Sequence, residues 1–497
     1  MNQLRMFMGK GADGFTRLIS PAMLAAILVA IITCIALFTK PYIGMADNGD
    51  YFRIIYGNGL YFNDPDYYNQ YFGYFVKQYG LFQYFNENAA PLASSQSLFI
   101  KLAIAINKLV YDHGIFDIRI QGVIYTVLLI GAVFLLVEGV TWKVSRKRGY
   151  LIAILAVFMF GDTGYTAYFN SFYGESVVYI MAILLAASGV LLYRKRYNDY
   201  VMLFLFTLSA VLLTTSKQQN VTVGIIVGLI GGILIYLHKN KTYRFVAAMS
   251  MIILFMSGIA TYALIPKEFV EINQYHAMTR GPLLHTDNPE ETLNRFGINE
   301  QYSILSKSIY YELYTTIDVE SPMLRDDFYS RYGFGSILGY YISNPGKTIE
   351  MLDLAAQHAF TIRPTAMGNY EKSEARPFGE KASFFSTYST FKKQLSPKTF
   401  GFILLWVVIV CGLYLASFIG ALKRKNIRDA IKLPLMVMMI LVGLSGIAVS
   451  IIGAGDADLA KHLFLFTVMF DLVTFITIAD ALGVGFWRYN RLQRGEK

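Results

Sequence analysis

The chain has 497 residues, of which 55% are hydrophobic and 16% charged, and its mean hydropathy is +0.43. This composition excludes a soluble globule, because too little polar surface is present and the apolar residues form runs long enough to cross a bilayer. The formal net charge of +10 comes from short basic clusters between these runs, which argues against the single basic patch of a nucleic-acid-binding protein. We predict an all-α polytopic membrane protein with no nucleic-acid partner.

The first apolar run covers about residues 21–39 and follows three basic residues, Arg5, Lys10 and Arg17. The next stretch, "FTKPYIG", lacks a small-residue cleavage pattern, so we expect a retained first helix and not a removed signal peptide. Further apolar runs lie at about 120–141, 150–163, 174–193, 200–215, 220–237, 244–265, 400–422, 431–453 and 461–486. At ~20 residues per crossing, they predict about ten membrane spans.

Basic residues fall in alternate connections between these runs, as the positive-inside rule requires of cytoplasmic loops. The basic connections are "KVSRKR" (143–148), "RKR" (194–196), "HKNKTYR" (238–244), "KRKNIR" (423–428) and the tail 487–497. We therefore predict a multi-pass plasma-membrane protein with both termini in the cytoplasm.

Two long segments, about 40–119 and 266–399, fall on the predicted outer side. The first contains "LASSQSLFIKLAIAINKLVYDHG", an apolar stretch interrupted by Lys101 and Lys108, which favours a helix lying in the membrane interface. The second is mostly polar and predicts a small helical subdomain. We expect three parts: a transmembrane core over 1–265 that includes the first outer loop, the outer subdomain over 266–399, and C-terminal helices with a basic tail over 400–497.

The order of these elements resembles a known family. After the first helix and its outer carboxylates come "APLASSQSLF", "HGIFDIR" and a helix opening "IRIQGVIYTVLLIGAVFLL", followed by "AVFMFGDTGYTAYFNSFYGESVVYIMAILLAASGVLLY". This pattern resembles the membrane-embedded GT-C glycosyltransferases, especially the protein mannosyltransferase and lipid A aminoarabinose transferase branch. The resemblance covers roughly the first 240 residues. "TTSKQQN" stands where that branch often has a Thr-Lys-Gly-Pro turn and lacks its Gly-Pro, and the C-terminal half matches no motif of the branch.

The resemblance implies a GT-C-like fold and a bacterial enzyme of the cell envelope. Such an enzyme takes a sugar, here expected to be a hexose, from a polyprenyl-phosphate donor. It transfers that sugar, usually with inversion, to a cell-surface glycan, lipid or protein acceptor. The expected partners are the lipid-linked sugar, the acceptor and membrane lipids. No cofactor is assigned, and a divalent cation, Mg²⁺ or Mn²⁺, stays open.

The stretch "GMADNGDYFR" (44–53) follows the first helix and carries two carboxylates and a cation. By the resemblance, Asp47 or Asp50 is the general base that deprotonates the acceptor hydroxyl. Asp47 is preferred, with Asp50 as its support or as a metal ligand. Arg53 binds the donor phosphate or forms a salt bridge with Asp50. The competing interpretation is a simple turn, because Asn-Gly favours turns and Asp caps helices.

Two further residues are candidate donor contacts. Glu175 begins the fourth predicted helix, where it either faces the donor sugar or caps the helix. Lys217 is the single cation of its outer hairpin and either binds the lipid phosphate or extends to lipid headgroups. Weaker candidates for phosphate or acceptor contacts, each with a structural alternative, are His276, Arg280, His358, Arg363 and Lys461. Neither the histidine spacing nor the two cysteines, Cys34 and Cys411, indicate a structural metal site.

Two features leave other interpretations open. The aromatic band at 60–86 is typical of the membrane interface, but aromatic rings also stack on sugars. Asp471 lies inside the last predicted span with Asp480 soon after, and acids at that depth point to ion or proton pathways. A transporter or flippase of lipid-linked glycans is therefore the alternative function, with a glycan polymerase or ligase as a third.

Overall fold

The computed structural model describes residues 19–84, 93–312 and 314–483. Its helices, in chain order, are α1 (Pro21–Phe38), α2 (Phe52–Ile55), α3 (Gln96–Val110), α4 (Ile118–Thr141), α5 (Arg146–Phe160), α6 (Thr163–Thr166), α7 (Glu175–Arg194), α8 (Asp199–Thr214), α9 (Val221–Ile230), α10 (Lys241–Ala263), α11 (Lys267–Thr279), α12 (Pro289–Arg295), α13 (Pro322–Asp327), α14 (Phe334–Ser343), α15 (Pro345–His358), α16 (Thr387–Leu395), α17 (Phe400–Lys423), α18 (Ile427–Ala430), α19 (Lys432–Ala454), α20 (Leu459–His462) and α21 (Phe464–Leu482). Short 3₁₀ helices include Tyr67–Gln70 and Gln218–Asn220.

Within these ranges, eight helices are long and apolar enough to cross a membrane. They are α1, α4, α7, α10, α17, α21, the continuous segment Gln218–Tyr236 that contains α9, and Ile427–Ala454, which joins α18 to α19. A ninth crossing results if α5 and Thr163–Asn170, which are bent by 43°, form one span, and α8 is a shorter apolar helix. Each of the ten predicted runs thus overlaps a helix, but the described residues have eight qualifying spans, or nine with the bent pair, and not the ten expected. The protein is an all-α polytopic membrane protein.

Helix α7 lies at the centre of the bundle. Inside the protein, 89% of its most apolar 18-residue stretch is buried, whereas only 17% of the equivalent stretch of α17 is buried. Neighbouring helices α4, α8 and α21 pack around α7. A group at the first turn of α7 is therefore enclosed by protein and not by lipid.

The two long segments meet at one end of the bundle, which we call the capped face. Backbone hydrogen bonds join them directly: Gly44 donates to Asn369 O at 3.1 Å, and Ala46 donates to Gly368 O at 3.0 Å. The segment after α1 is therefore held in place by a segment more than 300 residues further along the chain.

The basic connections between spans gather at the opposite end. Arg428 and His238, from two different connections, both contact Asp199 at the start of α8, at 2.7 and 2.6 Å. Arg196 pairs with Glu138 at the end of α4, at 2.7 Å. This separation of basic loops from long segments is the one that the charge pattern predicts. Arg5, Lys10, Arg17 and the basic tail at 487–497 lie outside the described residues.

The first long segment contains a small sheet that the sequence does not predict. Strands β1 (Leu60–Tyr61), β2 (Gln78–Leu81) and β3 (Ile115–Asp117) pair antiparallel in the order β1-β2-β3, with Leu60 opposite Leu81 and Tyr79 opposite Phe116.

Part of the aromatic band at 60–86 packs inside the protein, a role in addition to the two considered above. Its residues Tyr67, Phe75 and Tyr79 are buried, and exposed members include Tyr68 and Tyr84. The last two residues of the band lie outside the described ranges.

Helix α3 has the length and surface of a helix lying along the membrane. It has 15 residues, exposes Leu98, Leu102 and Leu109, and buries Ile100 and Ala103. Fifteen residues are too few to cross a ~30 Å hydrocarbon core, whereas an exposed apolar face suits the lipid surface. The residues at 90–92, where we expected this element to begin, are not described.

Most of the second long segment packs around its own apolar cluster, which is distinct from the main bundle core. Tyr275, Tyr302, Phe328 and Phe360 belong to this cluster, which also contacts the ends of α17, α19 and α21. The division into three parts given above stays a prediction.

Candidate active site

Asp47 organises the loop after α1. Its Oδ1 accepts backbone hydrogen bonds from Gly49, Asp50 and Tyr51 at 2.8, 2.9 and 3.2 Å, and its Oδ2 accepts one from the Tyr67 hydroxyl at 3.2 Å. Gly49 has φ +95°, a conformation that favours glycine. The Asp-Asn-Gly sequence therefore builds a turn, and Asp47 is the side chain that holds it.

Asp50 follows this turn, and its carboxylate lies between two cations. Oδ1 lies 3.2 Å from Nη2 of Arg53, which is on α2, and Oδ2 contacts Nζ of Lys461, which is on α20. The Asp50 side chain keeps 24% of its surface exposed, whereas the Asp47 residue keeps 4%. Asp50 is therefore the more accessible of the two carboxylates.

Lys461 reaches Asp50 from the other end of the chain because α20 is tied to the same loop. Asp458, the residue before α20, accepts a hydrogen bond from Asn48 Nδ2 at 3.0 Å. The Tyr173 hydroxyl donates to Ala46 O at 2.9 Å, and its ring lies 5.0 Å below the Lys461 ammonium. The loop, the start of α7 and α20 thus form one hydrogen-bonded unit.

Glu175 and Lys217 form a second ion pair beside this cluster. Lys217 Nζ lies 2.7 Å from Oε1 of Glu175, which is in the first turn of α7 and is only 1% exposed. The other oxygen, Oε2, is buried and has no hydrogen-bond partner within the described ranges. A buried acceptor without a donor is rare, so this atom is available to a ligand hydroxyl.

Two cavities share these charged residues. The smaller, of about 100 Å³, has mostly polar and charged residue types in its lining, which consists of Asp50, Arg53, Ile54, Ala93, Ser94, Gln96, Phe172, Tyr173, Gly174, Glu175, Ser216, Lys217, Gln218 and Lys461. The larger, of about 360 Å³, runs between α9 and α19 and has an apolar wall that includes Val221, Tyr262, Ile265, Phe334, Val449 and Ile452. Asp50, Arg53, Lys217, Gln218 and Lys461 line both. The charges therefore lie where a polar chamber meets an apolar groove.

Burial shifts the ionisation of the groups around Asp50. It raises the pKa of Asp47 to about 6, although backbone donors from Tyr51 and Gly49 oppose the shift. It lowers the pKa of Lys461 to about 8, with Asp47 opposing. It also holds the pKa of His462 well below the usual histidine value. Near neutral pH, Asp47 and Lys461 are charged and His462 is neutral.

The four weaker candidates of the second long segment do not line either cavity among the described lining residues. Arg280 forms a two-pronged pair with Asp456 at 2.6 and 2.7 Å. His276 Nε2 accepts from the Tyr310 amide at 2.9 Å, and burial lowers its pKa to about 4.

Arg363 and His358 have equally local surroundings. Arg363 donates to Asn369 Oδ1 at 2.7 Å and to Ala382 O at 3.0 Å. His358 ends α15, and burial lowers its pKa. Each of the four lies in a setting that supports the local structure, and their predicted contacts with phosphate or acceptor stay untested.

The two acids within the last span are both ion-paired. Asp471 contacts Lys392 of α16 and the Tyr165 hydroxyl, each at 2.5 Å. Asp480 contacts Arg194 at 3.4 Å and also Lys432. Acids at this depth suggested an ion pathway, and the pairs give them a structural explanation instead.

A divalent cation does not fit the residues around Asp50. Both carboxylate oxygens already contact cations, and the neighbouring residues Lys217 and Lys461 are positive. In the part of the chain that the structure describes, no group of three or more His, Cys, Asp or Glu residues could hold a metal ion. Positive charge for a phosphate would come from side chains here.

Sequence reasoning missed several residues of the site. Asn48, Tyr173, Asp458 and Gln96 were not among the predicted site residues, because their roles depend on contacts between distant segments. Tyr173 lies two residues before the candidate Glu175, and this position is the one sequence feature that associates it with the site.

Comparison with known proteins places the chain in a family. The model described as the YfdI N-terminal transmembrane domain matches residues 9–497. No curated protein matches the chain. Among solved structures, it is similar to the archaeal oligosaccharyltransferase AglB from Archaeoglobus fulgidus, which was solved with an inhibitory peptide and a dolichol-phosphate, with a TM-score of 0.36 and 10% identity. That similarity covers 95% of this chain and 51% of AglB, so the chain spans about half the length of that protein. By the match over nearly its whole length, the chain belongs to the YfdI N-terminal transmembrane domain family.

Proposed function

We propose that this protein is a membrane glycosyltransferase that uses a polyprenyl-phosphate-linked hexose. One observation carries the proposal: Asp50, Arg53, Lys217 and Lys461 lie where an apolar groove meets a small polar chamber. A lipid-linked sugar has three parts in the same order, namely an apolar chain, a phosphate and a sugar. The resemblance of the first half of the sequence to GT-C enzymes supports the same conclusion.

Each part of the donor has a matching surface. The groove takes the first isoprene units, because it runs between the transmembrane helices α9 and α19 and one of its walls is apolar. Arg53, Lys217 and Lys461 surround the phosphate, to which charged donors bind about twice as strongly as neutral ones. Glu175 Oε2, buried without a donor of its own, accepts a hydroxyl of the sugar in the smaller chamber.

The transfer then needs one base and one stabilised leaving group. The acceptor hydroxyl oxygen attacks the anomeric carbon, and the new glycosidic bond forms as the bond from that carbon to the phosphate oxygen breaks. The hydroxyl proton passes to a carboxylate, and polyprenyl phosphate leaves with its added negative charge beside Lys461 and Arg53. Positioned cations stabilise that charge and a positioned base removes the proton.

We assign the base to Asp50 and a positioning role to Asp47. Asp50 lines both cavities, whereas Asp47 is 4% exposed and its Oδ1 already accepts three backbone hydrogen bonds. This assignment reverses the preference drawn from the sequence. Both carboxylates remain necessary for transfer, because Asp47 holds the loop that positions Asp50.

The test uses purified protein in nanodiscs with a synthetic short-chain polyprenyl-phosphate hexose and an extract of cell-surface glycans as acceptor. Asp50→Asn should lose ~10²–10⁴ in rate, as general bases usually do when neutralised. Asp287→Asn, a change of the same kind at an exposed carboxylate, should keep full activity. Full transfer by Asp50→Asn would refute the assignment of the base.

A transporter predicts a different result. A flippase should move the lipid-linked sugar across vesicles with Asp50 neutralised and should form no glycosidic bond. Flipping without transfer by the wild-type protein would therefore replace the transferase proposal. The polyprenyl-linked sugar that accumulates when the gene is deleted would identify the donor.

A further inference from the structure

A third cavity lies on the capped face, apart from the two at Asp50. It has a volume of about 530 Å³, within the roughly 300–1,000 Å³ of small-molecule sites. We call it the outer cleft; it is lined by Asn63, Asp64, Pro65, Asp66, Gln70, Phe75, Val76, Lys77, Gln78, Glu371, Lys372 and Ser373. We propose that the outer cleft binds the acceptor, and that the acceptor is a neutral oligosaccharide chain.

The chemistry of the lining favours a sugar. Only Pro65, Phe75 and Val76 of the described lining residues are apolar, and Phe75 is 1% exposed, so polar atoms form the larger part of the cleft surface. The remaining lining is amide, hydroxyl, carboxylate and ammonium groups. Groups that both donate and accept hydrogen bonds suit the many hydroxyls of a glycan.

The charges of the cleft favour a neutral glycan over an anionic one. Lys77 lies 3.2 Å from Glu371, and Lys372 contacts Asp66, so each lysine of the lining is already paired. The Asp64 carboxylate adds a negative charge, and it accepts a hydrogen bond from Gln70 Nε2 at 2.7 Å. The described lining therefore has three carboxylates against two lysines, and this excess of negative charge repels a phosphate-bearing glycan but not a neutral chain.

The same ion pairs make the cleft a built site. Lys77 and Asp66 belong to the first long segment, and Glu371 and Lys372 belong to the second, so the pairs join the two walls. Backbone bonding beside the cleft adds to this, since Phe75 donates to Tyr370 O at 2.9 Å. The Phe75–Tyr370 backbone bond and the less exposed Lys77–Glu371 pair therefore position the two walls before a ligand enters, which reduces the entropy lost on binding.

One short helix connects the cleft to the proposed site of transfer. Gln70 lines the cleft, and Tyr67, in the same 3₁₀ helix, bonds Asp47 at 3.2 Å. Asp47 in turn bonds the amide of Asp50. The cleft is thus connected, through this helix and Asp47, to the loop that carries the base. The role of the cleft as an acceptor site rests on the proposed function, whereas glycan binding itself does not.

The test measures binding without any donor. Wild-type protein in nanodiscs is applied to immobilised neutral hexose oligosaccharides of graded length and to glycerol-phosphate oligomers of matched length. Asn63→Trp and Ser373→Trp, at exposed positions of the cleft, fill it without touching the core. Gln357→Trp, exposed on α15, is the matched control, and size-exclusion profiles show that each variant is folded.

We expect neutral oligosaccharides to bind, and both cleft variants to weaken that binding at least about tenfold while Gln357→Trp does not. Asp50→Asn should bind the same oligosaccharides as well as wild type, although its transfer rate is ~10²–10⁴ lower. Absence of neutral-oligosaccharide binding, preference for the glycerol-phosphate oligomers, or unchanged binding in both cleft variants would overturn the proposal. Normal binding by a protein that transfers no sugar would leave the cleft standing and refute the proposed function.

Discussion

Asp47 and Asp50 are three residues apart, yet their carboxylates have different surroundings. Asp47 is enclosed by backbone amides and Tyr67, and Asp50 faces two cations at the cavities. The sequence shows two acids and a turn signal, so it predicts both a turn and a site without assigning each role to a residue. The assignment depends on burial, which follows from the distant segments that cover Asp47.

The pH dependence of transfer should reveal two of these groups. With a pKa of about 6, Asp47 becomes neutral as pH falls below that value, and its loop then loses a charged acceptor for three amides. With a pKa of about 8, Lys461 becomes neutral as pH rises above that value, and the departing phosphate loses a cation. We expect a bell-shaped profile of kcat/KM with limbs near these values.

Variants assign the two limbs. Lys461→Arg should move the alkaline limb upward, because arginine stays charged over the whole range. Asp47→Asn should lower the rate and remove the acid limb near pH 6. An alkaline limb that stays near pH 8 in Lys461→Arg would assign it to another group.

Lys217 should contribute to donor binding separately from its pairing with Glu175. Lys217→Met should weaken donor affinity by about 1.5–3 kcal/mol, the range of a charge-assisted contact. It should also lower stability, since it leaves the buried Glu175 carboxylate without its cation. Adding Glu175→Gln should restore the melting temperature but not the donor KM. If the second change restored both, Lys217 would act only as the partner of Glu175.

At the scale of elements, α16 connects the second long segment to the bundle through a buried ion pair. Lys392 and Asp471 have side chains 3% and 0% exposed. Lys392→Met should lower the stability of the folded protein by about 3–5 kcal/mol, because it leaves a buried charge unpaired. Combining it with Asp471→Asn should recover most of that loss, since no charge remains to be paired.

Thermal melting followed by fluorescence-detected size exclusion would measure the effect. Lys372→Met is the matched control, because it breaks a pair in which the lysine side chain is 52% exposed and solvent screens the charges. Equal melting temperatures for Lys392→Met and Lys372→Met would show that α16 does not depend on this pair.

The elements differ in how well the sequence predicts them. Apolar runs of about 20 residues are specified locally, and each of the ten has its helix. The strands have two to four residues each and form by pairing between segments that are apart in the sequence, so no local pattern predicts them. The Asp50–Lys461 contact joins residues 411 positions apart, and no spacing rule could have found it.

For the whole molecule, the orientation in the membrane is the main prediction to test. Cysteines at Asn63 and Gln301, on the capped face, should react in intact cells with a membrane-impermeant maleimide in a background of Cys34→Ser and Cys411→Ser. Cysteines at Lys147 and Lys239, in the basic connections, should react only after permeabilisation. Both pairs are exposed, so accessibility of the side chain does not limit the reaction. The reverse pattern would place the proposed site in the cytoplasm.

The Lys392–Asp471 pair also orders the events of biosynthesis. Lys392 leaves the ribosome before Asp471, which is in the last span of the described chain. Until that span enters the bilayer, Lys392 lacks the carboxylate that pairs with it in the folded protein, so α16 cannot pack at its final position. We therefore expect nascent chains that stop before α21 to keep α16 accessible to protease. Insertion of α21 should then allow α16 to pack and become protected.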